Sequence, residues 1–291
     1  MRLFLLAAAA AVLLSAVPAS AASPPVTIVA AENFYGDLAR AIAGPKANIV
    51  SILSNPDQDP HMFEANVETA KSLADADVVI ANGADYDPWI ADLLKTSGSR
   101  DRAEIVAAEL TGRKAGDNPH LWYDPATMKA MAEKLAATLE TIDPAQKALY
   151  AANAQAYIAG LKRLDDKIAT MKSRYAGRPV TASEPVFGYM ADALGLKMLN
   201  RRFQVMVMNG TDPGPTDVAA FEDSLTGHKV DAMLYNRQAD DAAVKRLVGI
   251  AKASGVPVVG VSETEPAGQT YVEWMMDQLG ELDRALGGAK S

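Results

Sequence analysis

The sequence predicts an α/β fold made of two parallel-sheet lobes that are joined by one long spine helix. Short apolar, β-branched runs alternate with helical patterns along the chain, which is typical of βαβ units and parallel sheets. One helical pattern near the middle is much longer than the others and fits a connecting helix. The length of 291 residues also suits two domains of ordinary size better than one.

The first half of the chain alternates between strand and helix patterns, and we predict that residues 22–142 form an N-terminal lobe. Its predicted strands are residues 26–30, 47–53, 77–81 and 103–107. Its predicted helices are residues 34–42, 64–74 and 87–94. Pro88 opens the third of these helices, and Asp124 before Pro125 is interpreted as a helix cap.

The spine helix is predicted over residues 143–176. Asp143 as N-cap and Pro144 as first helical residue are a common helix start, and Gly177 is a common stop. Apolar side chains recur between them at spacings of three and four, on one stripe: Leu161, Leu164, Ile168, Met171 and Tyr175. About 32 residues would span about 48 Å, so we expect the helix to run along both lobes.

The alternation resumes after the spine, and residues 177–291 are predicted to form a C-terminal lobe. Its predicted strands are residues 178–182, 232–235 and 256–261. Its predicted helices are residues 186–194, 219–225, 242–253 and 271–286.

Residues 1–21 have the pattern of a secretory signal peptide, with Arg2, an apolar run and small residues at 19–21. The apolar run is too short for a comfortable membrane span. The chain contains no cysteine, so we expect neither a disulfide nor a lipid-anchor cysteine. These features predict a free protein of the periplasm, and the net charge of −8 disfavours nucleic acid as a partner.

Two of the three histidines lie directly after a proline. His61 ends residues 57–61 (Asp-Gln-Asp-Pro-His), and His120 lies within residues 118–122 (Asn-Pro-His-Leu-Trp). Proline restricts the backbone beside the imidazole, and an imidazole held in place is a good ligand for a divalent transition metal. The alternative is a turn histidine bonded to backbone. His228, between a glycine and a lysine, is expected to be exposed to solvent.

Potential metal ligands follow predicted strands in both halves of the chain: His61, His120, Glu184 and Glu263. Ligands of open α/β sheets bind beyond the carboxyl ends of the strands. We therefore expect these side chains to converge on one crevice between the lobes. The alternative for the two glutamates is a helix cap or an ion-paired acid at the rim.

The same residues resemble a known family, the zinc- and manganese-binding solute-binding proteins of bacterial ABC importers (cluster A-I group). The matching pieces are residues 31–36, 59–64, 118–122 and 187–189 together with the spine helix, so the resemblance covers the mature chain nearly end to end. It implies a metal ion held between two lobes and delivered to a membrane permease. It places the ligands at His61, His120, Glu184 and Glu263, with Glu265 as an alternative to Glu263. We expect the protein to act as a monomer.

The cargo expected of two imidazoles and two carboxylates is Mn²⁺, with Zn²⁺ close behind and Fe²⁺ also compatible. Carboxylate oxygens suit the harder Mn²⁺ and Fe²⁺, and bidentate glutamates would supply more ligand atoms than tetrahedral zinc needs. The usual order of affinities, by contrast, places zinc above manganese at such a site.

Two other functions are compatible with the pattern. A periplasmic metallohydrolase would use one carboxylate as general base and would keep an open coordination position beside a substrate-sized cleft. A protein that binds an iron–siderophore or corrinoid would have a larger pocket rich in arginine and aromatic residues, whereas aromatic residues are 6% of this chain. Non-catalytic metal capture is the function that the residues favour.

Overall fold

The computed structural model describes residues 24–57, 60–96, 101–239 and 242–288. The predicted signal peptide, residues 1–21, lies outside the described residues. Across the described ranges the chain forms two sheets, and each sheet is parallel throughout. Within these same ranges, none of the helices combines the length and the hydropathy that crossing a bilayer requires.

The first lobe is built on a four-stranded sheet with the order β2-β1-β3-β4. Its strands are β1 (Thr27–Glu32), β2 (Asn48–Leu53), β3 (Val78–Ala81) and β4 (Ala103–Val106). Its helices are α1 (Asn33–Ala43), α2 (Val67–Ala74), α3 (Pro88–Thr96), α4 (Ala107–Leu110) and α5 (Pro125–Ile142). Every predicted strand of this lobe is present. The helix predicted from residue 64 begins later because Asn66 caps it, accepting from the backbone N–H groups of Glu68 and Thr69.

Helix α5 is the one long element that the sequence patterns did not predict. The expected cap is present, since the Asp124 carboxylate accepts from the backbone N–H of Ala126 at 3.0 Å. The helix that follows runs for 18 residues and buries Met128, Met131 and Leu135. These side chains pack in the core shared with the spine helix.

The spine helix, α6 (Lys147–Tyr175), is confirmed but is shorter than predicted. Residues Pro144–Gln146 form a separate 3-10 turn, and the α-helix of 29 residues starts only after it. At 1.5 Å per residue, 29 residues span about 44 Å. Gly177, at φ +82°, lies just past the end of the helix in a conformation that favours glycine.

The second lobe repeats the strand arrangement of the first, in the order β6-β5-β7-β8. Its strands are β5 (Pro179–Ala182), β6 (Lys197–Met198), β7 (Ala232–Asn236) and β8 (Val258–Val261). Its helices are α7 (Gly188–Ala193), α8 (Arg201–Met208), α9 (Pro215–Thr226), α10 (Ala242–Ala253) and α11 (Tyr271–Gly288). The short strand β6 and helix α8 were not predicted, whereas the other elements were.

The two lobes share one hydrophobic core along the spine helix. The apolar stripe of α6 is buried, with Leu161, Leu164 and Met171 fully inaccessible to solvent. This helix packs against α1 and α5 of the first lobe and against α11 of the second. A core of this kind holds the carboxyl ends of both sheets in a fixed relation, and the candidate site lies there.

Candidate metal centre

His61 lies in the 3-10 turn Pro60–Met62 that follows β2. Its side chain is 32% exposed, and its Nε2 atom lies 3.4 Å from Oε2 of Glu263 in the other lobe. The imidazole also contacts the ring of Tyr86 edge-on, with ring centroids 5.5 Å apart. His61 is therefore the partly solvent-exposed member of the site.

His120 is fully buried, directly before the 3-10 turn Leu121–Tyr123. Its Nδ1 atom lies 2.6 Å from Oδ1 of Asn118, and the amide nitrogen of Asn118 donates to the carbonyl oxygen of Pro185 at 2.8 Å. Because this second bond fixes Oδ1 toward the imidazole, Nδ1 must carry the proton and donate it. In the neutral form of this imidazole, Nε2 of His120 then has the lone pair that a metal-ligating histidine requires.

Glu263 follows β8 and is 1% exposed. Its Oε2 atom lies 3.3 Å from Nε2 of His120, and it accepts a hydrogen bond from the Tyr86 hydroxyl at 3.0 Å. Burial alone would raise the pKa of this carboxyl group, but positive charge on the facing His120 and His61 imidazoles would outweigh burial and hold the pKa below its usual range. A metal cation bound between these residues would supply positive charge at the same place, so the position favours a carboxylate.

His61, His120 and Glu263 each offer one ligand atom, and these atoms lie within 4.8 Å of one another. Nε2 of His120 is buried and has no hydrogen-bond partner. A bare nitrogen lone pair facing a carboxylate oxygen in a buried setting is unfavourable unless a cation lies between them. The donor set thus fits a divalent metal ion.

Glu184 lies beside this group but outside it. It follows β5, directly before the 3-10 turn Pro185–Phe187, and is 9% exposed. Its Oε2 atom accepts from Nδ2 of Asn236 at 2.9 Å, and the same Nδ2 donates to Oε1 of Glu263 at 2.6 Å. One amide therefore connects the two carboxylates of the second lobe.

Glu265, the alternative to Glu263, is directed elsewhere. Its backbone N–H and carbonyl are both bonded to the side chain of Asn33. Burial, with a smaller effect of Asp37, raises the pKa of the Glu265 carboxyl to about 9. Of these two glutamates, the structure brings Glu263 to the histidines.

Comparison with known proteins agrees with this geometry. The family model described as "Zinc-uptake complex component A periplasmic" matches residues 28–285. The chain belongs to this family. It is 25% identical over 281 residues to the metal ABC transporter substrate-binding lipoprotein SloC of Streptococcus mutans, covering 87% of this chain and 89% of the relative.

Two solved structures have the same fold. The periplasmic zinc-binding protein TroA of Treponema pallidum superposes with a TM-score of 0.78 at 19% identity, over 90% of this chain and 99% of the other. The substrate-binding protein FpvC of Pseudomonas aeruginosa, in complex with Mn²⁺, gives a TM-score of 0.76 at 21% identity, over 91% and 100%. The predicted α/β architecture with its long helix is confirmed.

Membership of the zinc-uptake component A family also decides between the classes of function considered above. Its relatives are substrate-binding proteins of metal ABC transporters, so the prediction of a binding protein rather than an enzyme is confirmed. The names of the relatives and neighbours cover more than one metal, and the identity of the ion is not fixed by family membership.

Two residues that contact this group of side chains were not predicted as part of it. Asn236 ends β7 at the same sheet edge as the predicted ligands, a position that offered a signal. Tyr86 gave no such signal, because its bond to Glu263 joins residues 177 positions apart. Gly188 is also needed, because a Cβ atom there would lie 2.7 Å from the Asn118 amide nitrogen.

A pair of buried acids lies near the centre, in the first lobe. Asp87 accepts from the backbone N–H groups of Asn82 and Gly83 at 2.6 and 2.7 Å. Neither carboxyl oxygen of Glu32 has a hydrogen-bond partner among the described residues. Burial, followed by the charge of Asp87, raises the pKa of Glu32 well above its usual range, so its protonated form is favoured.

Trp122, Trp89 and His228 have ordinary structural roles. Trp122 is fully buried and stacks on Phe34 with ring centroids 4.5 Å apart. Trp89 is half-buried against Phe63. His228 is exposed, as expected.

Proposed function

We propose that this protein captures a divalent transition-metal ion between its two lobes and delivers it to the permease of an ABC importer. The proposed ligands are His61, His120, Glu184 and Glu263. The observation that carries the proposal is the convergence of two imidazole nitrogens and one carboxylate oxygen, with Nε2 of His120 buried and unpartnered.

Glu184 completes the proposed ligand set from the second lobe. It is buried, and Asn236 holds it beside Glu263. Two carboxylates balance the charge of a dication, which lowers the cost of enclosing the ion between the lobes. Asn118 is not a proposed ligand, but its hydrogen bond with Nδ1 of His120 orients the His120 ring, as the outer partners of metal-ligating histidines do.

Mn²⁺ is the cargo favoured by donor hardness, and Zn²⁺ is its direct competitor. Two of the four proposed ligands are carboxylates, which suit harder cations better than an all-imidazole site would. The general affinity order favours Zn²⁺. Native mass spectrometry of protein purified without added metal, followed by competition between the two ions, identifies the preferred cargo.

The proposed place of action is the periplasm, where the protein would work as a monomer with its permease. The leader-like pattern of residues 1–21 and the family description support this location. Cell fractionation and size-exclusion chromatography with light scattering test the two statements. Recovery of the protein only with the membrane fraction would contradict the free periplasmic form.

The ligand set is tested by replacing His120 with alanine. Losing an outer partner of a ligand typically weakens metal binding by about 10- to 100-fold, so losing a ligand itself should cost at least about tenfold. Binding is measured by calorimetric titration with Mn²⁺ and Zn²⁺. The matched control is His228→Asn, which removes the exposed third histidine and keeps a residue that tolerates its φ of +50°.

Thermal unfolding provides an independent readout for the unaltered protein. A ligand that binds only the folded state stabilises it by about 2.7 kcal/mol at a hundredfold excess over its dissociation constant. A rise in melting temperature with metal that is lost in His120→Ala and kept in His228→Asn is the expected result. Absence of any shift with both ions would count against metal capture.

A further inference from the structure

The side-chain amide of Asn236 bonds to one oxygen of the Glu184 carboxylate and to one oxygen of the Glu263 carboxylate. Both N–H groups of its amide are engaged, one by Oε2 of Glu184 at 2.9 Å and one by Oε1 of Glu263 at 2.6 Å. The oxygen that faces the histidines and Tyr86 is the other one, Oε2 of Glu263.

The orientation of this amide is fixed by its own surroundings. Oδ1 of Asn236 accepts from the backbone N–H of Gln238 at 3.0 Å, and the backbone N–H of Asn236 donates to the Ser183 hydroxyl at 3.3 Å. Asn236 is 2% exposed, so water does not compete for these bonds. Turning the amide over would place its oxygen against two carboxylates and its nitrogen against an N–H group, which is unfavourable on both sides.

We infer that Asn236 limits each carboxylate to one metal-binding oxygen and thereby makes the site four-coordinate. This inference rests on the proposed function and names what sets the metal preference of that site. With one oxygen of Glu184 and one of Glu263 held by the amide, the proposed ligands supply two nitrogens and two oxygens. Four such donors meet the tetrahedral requirement of Zn²⁺.

Mn²⁺ is affected differently, because it is best satisfied by six, mainly oxygen, ligands. The two further oxygens that Mn²⁺ would use belong to the same carboxylates and are the ones bonded to Asn236. Binding both oxygens of a glutamate draws the second oxygen toward the ion and competes with its buried charge-assisted hydrogen bond to Asn236, a bond roughly twice as strong as a neutral one. Asn236 therefore opposes the preference for Mn²⁺ that donor hardness alone would give.

The test compares Asn236→Ala with the unaltered protein. Removing the amide releases the one oxygen of each carboxylate that Asn236 holds, so the affinity for Mn²⁺ relative to Zn²⁺ should rise by about tenfold or more, the scale on which outer-shell partners act. Asn236→Ser keeps one donor and should fall between the two. If the alanine variant is too unstable to purify, the serine variant alone carries the comparison.

Coordination number is read separately with Co²⁺, whose visible absorption is far stronger in four-coordinate than in six-coordinate sites. The unaltered protein should give the strong spectrum and Asn236→Ala the weak one. The matched control is Asn153→Ala, which removes a part-buried amide that donates to the carbonyl oxygen of Ile42 at 2.9 Å, at the end of α1 opposite the strand ends that carry the site. It should change neither the ratio nor the spectrum.

The outcomes separate this inference from the function on which it rests. Equal loss of Mn²⁺ and Zn²⁺ affinity in Asn236→Ala, with an unchanged Co²⁺ spectrum, would overturn the role of Asn236 and leave metal capture standing. An unaltered protein that binds neither Mn²⁺ nor Zn²⁺ would overturn the proposed function itself.

Discussion

Replacing Asn118 with alanine tests whether the His120 imidazole is held in the state that leaves Nε2 available. Asn118 is in the first lobe, and its side chain makes three hydrogen bonds. Oδ1 accepts from Nδ1 of His120 at 2.6 Å and from its backbone N–H at 3.2 Å, and Nδ2 donates to the carbonyl oxygen of Pro185 at 2.8 Å. One side chain thus orients a proposed ligand and bonds to the turn that follows Glu184.

The expected magnitudes follow from these three bonds. At about 1 kcal/mol of net stability for each bond, Asn118→Ala should lower the free energy of unfolding of the metal-free protein by about 3 kcal/mol. Loss of the Nδ1 acceptor frees the imidazole to rotate or to change tautomer. We expect metal affinity to fall by about 10- to 100-fold, as for other outer partners of ligating histidines.

A second variant, Asn118→Asp, separates the two effects. Aspartate keeps an oxygen for His120 but presents another oxygen, not an N–H group, to the carbonyl of Pro185. Metal affinity should therefore be restored relative to alanine, while the free energy of unfolding stays low. The control is Asn153→Ala, which removes a side-chain bond to the carbonyl oxygen of Ile42 at 2.9 Å, away from the site.

The assays are calorimetric titration with Zn²⁺ or Mn²⁺ and denaturant unfolding of the metal-free protein. If alanine and aspartate weaken metal binding equally, orientation of His120 is not the reason for the loss. If Asn118→Ala binds metal as tightly as the unaltered protein, the assignment of the His120 tautomer is wrong.

Two further variants test the first lobe and the spine. The raised pKa of Glu32 means that its stabilising contribution is present below the usual carboxyl pKa and is lost as the pH rises through the raised value. Glu32→Gln replaces the buried carboxyl group with a neutral amide of similar shape that cannot ionise, so at pH 9 it should be more stable than the unaltered protein by about 1 to 3 kcal/mol. Denaturant titrations between pH 5 and 9 measure this, with Glu140→Gln, an acid paired with Lys147 at 3.0 Å, as control; parallel pH profiles would refute it. Leu164→Ala should cost about 2 to 5 kcal/mol of stability and leave metal affinity unchanged, and a large change in affinity would contradict a purely structural spine.

The parts of the fold that could be predicted are those with strong local patterns. Strands β1 and β3 of the first lobe are short apolar runs, and their burial on both faces is what such runs indicate. The spine was predictable because its apolar stripe continues without interruption from Leu161 to Tyr175. Helix α5 was not predicted, although Met128, Met131 and Leu135 have helical spacing.

The parts of the site that could be predicted are the residues at strand ends, and the parts that could not are its long-range bonds. The Pro-His pairs and the two glutamates follow strands, and parallel strands bring such positions to one edge. The roles of Tyr86 and Asn236 depend on partners 177, 52 and 27 residues away. A single sequence contains no local pattern that reports which oxygen of a carboxylate is already bonded.

The same long-range bonds bear on how the metal-free protein keeps its site. Without an ion, the negative charges of Glu184 and Glu263 are stabilised by the amide of Asn236 and, for Glu263, by the hydroxyl of Tyr86. Tyr86 belongs to the first lobe and Glu263 to the second, and the bond of Asn118 to Pro185 also joins the two lobes. The bonds that prepare the site therefore also hold the lobes together. Because the proposed ligands come in equal number from both lobes, any movement that separates the lobes removes two ligands at once, and it must first break these bonds.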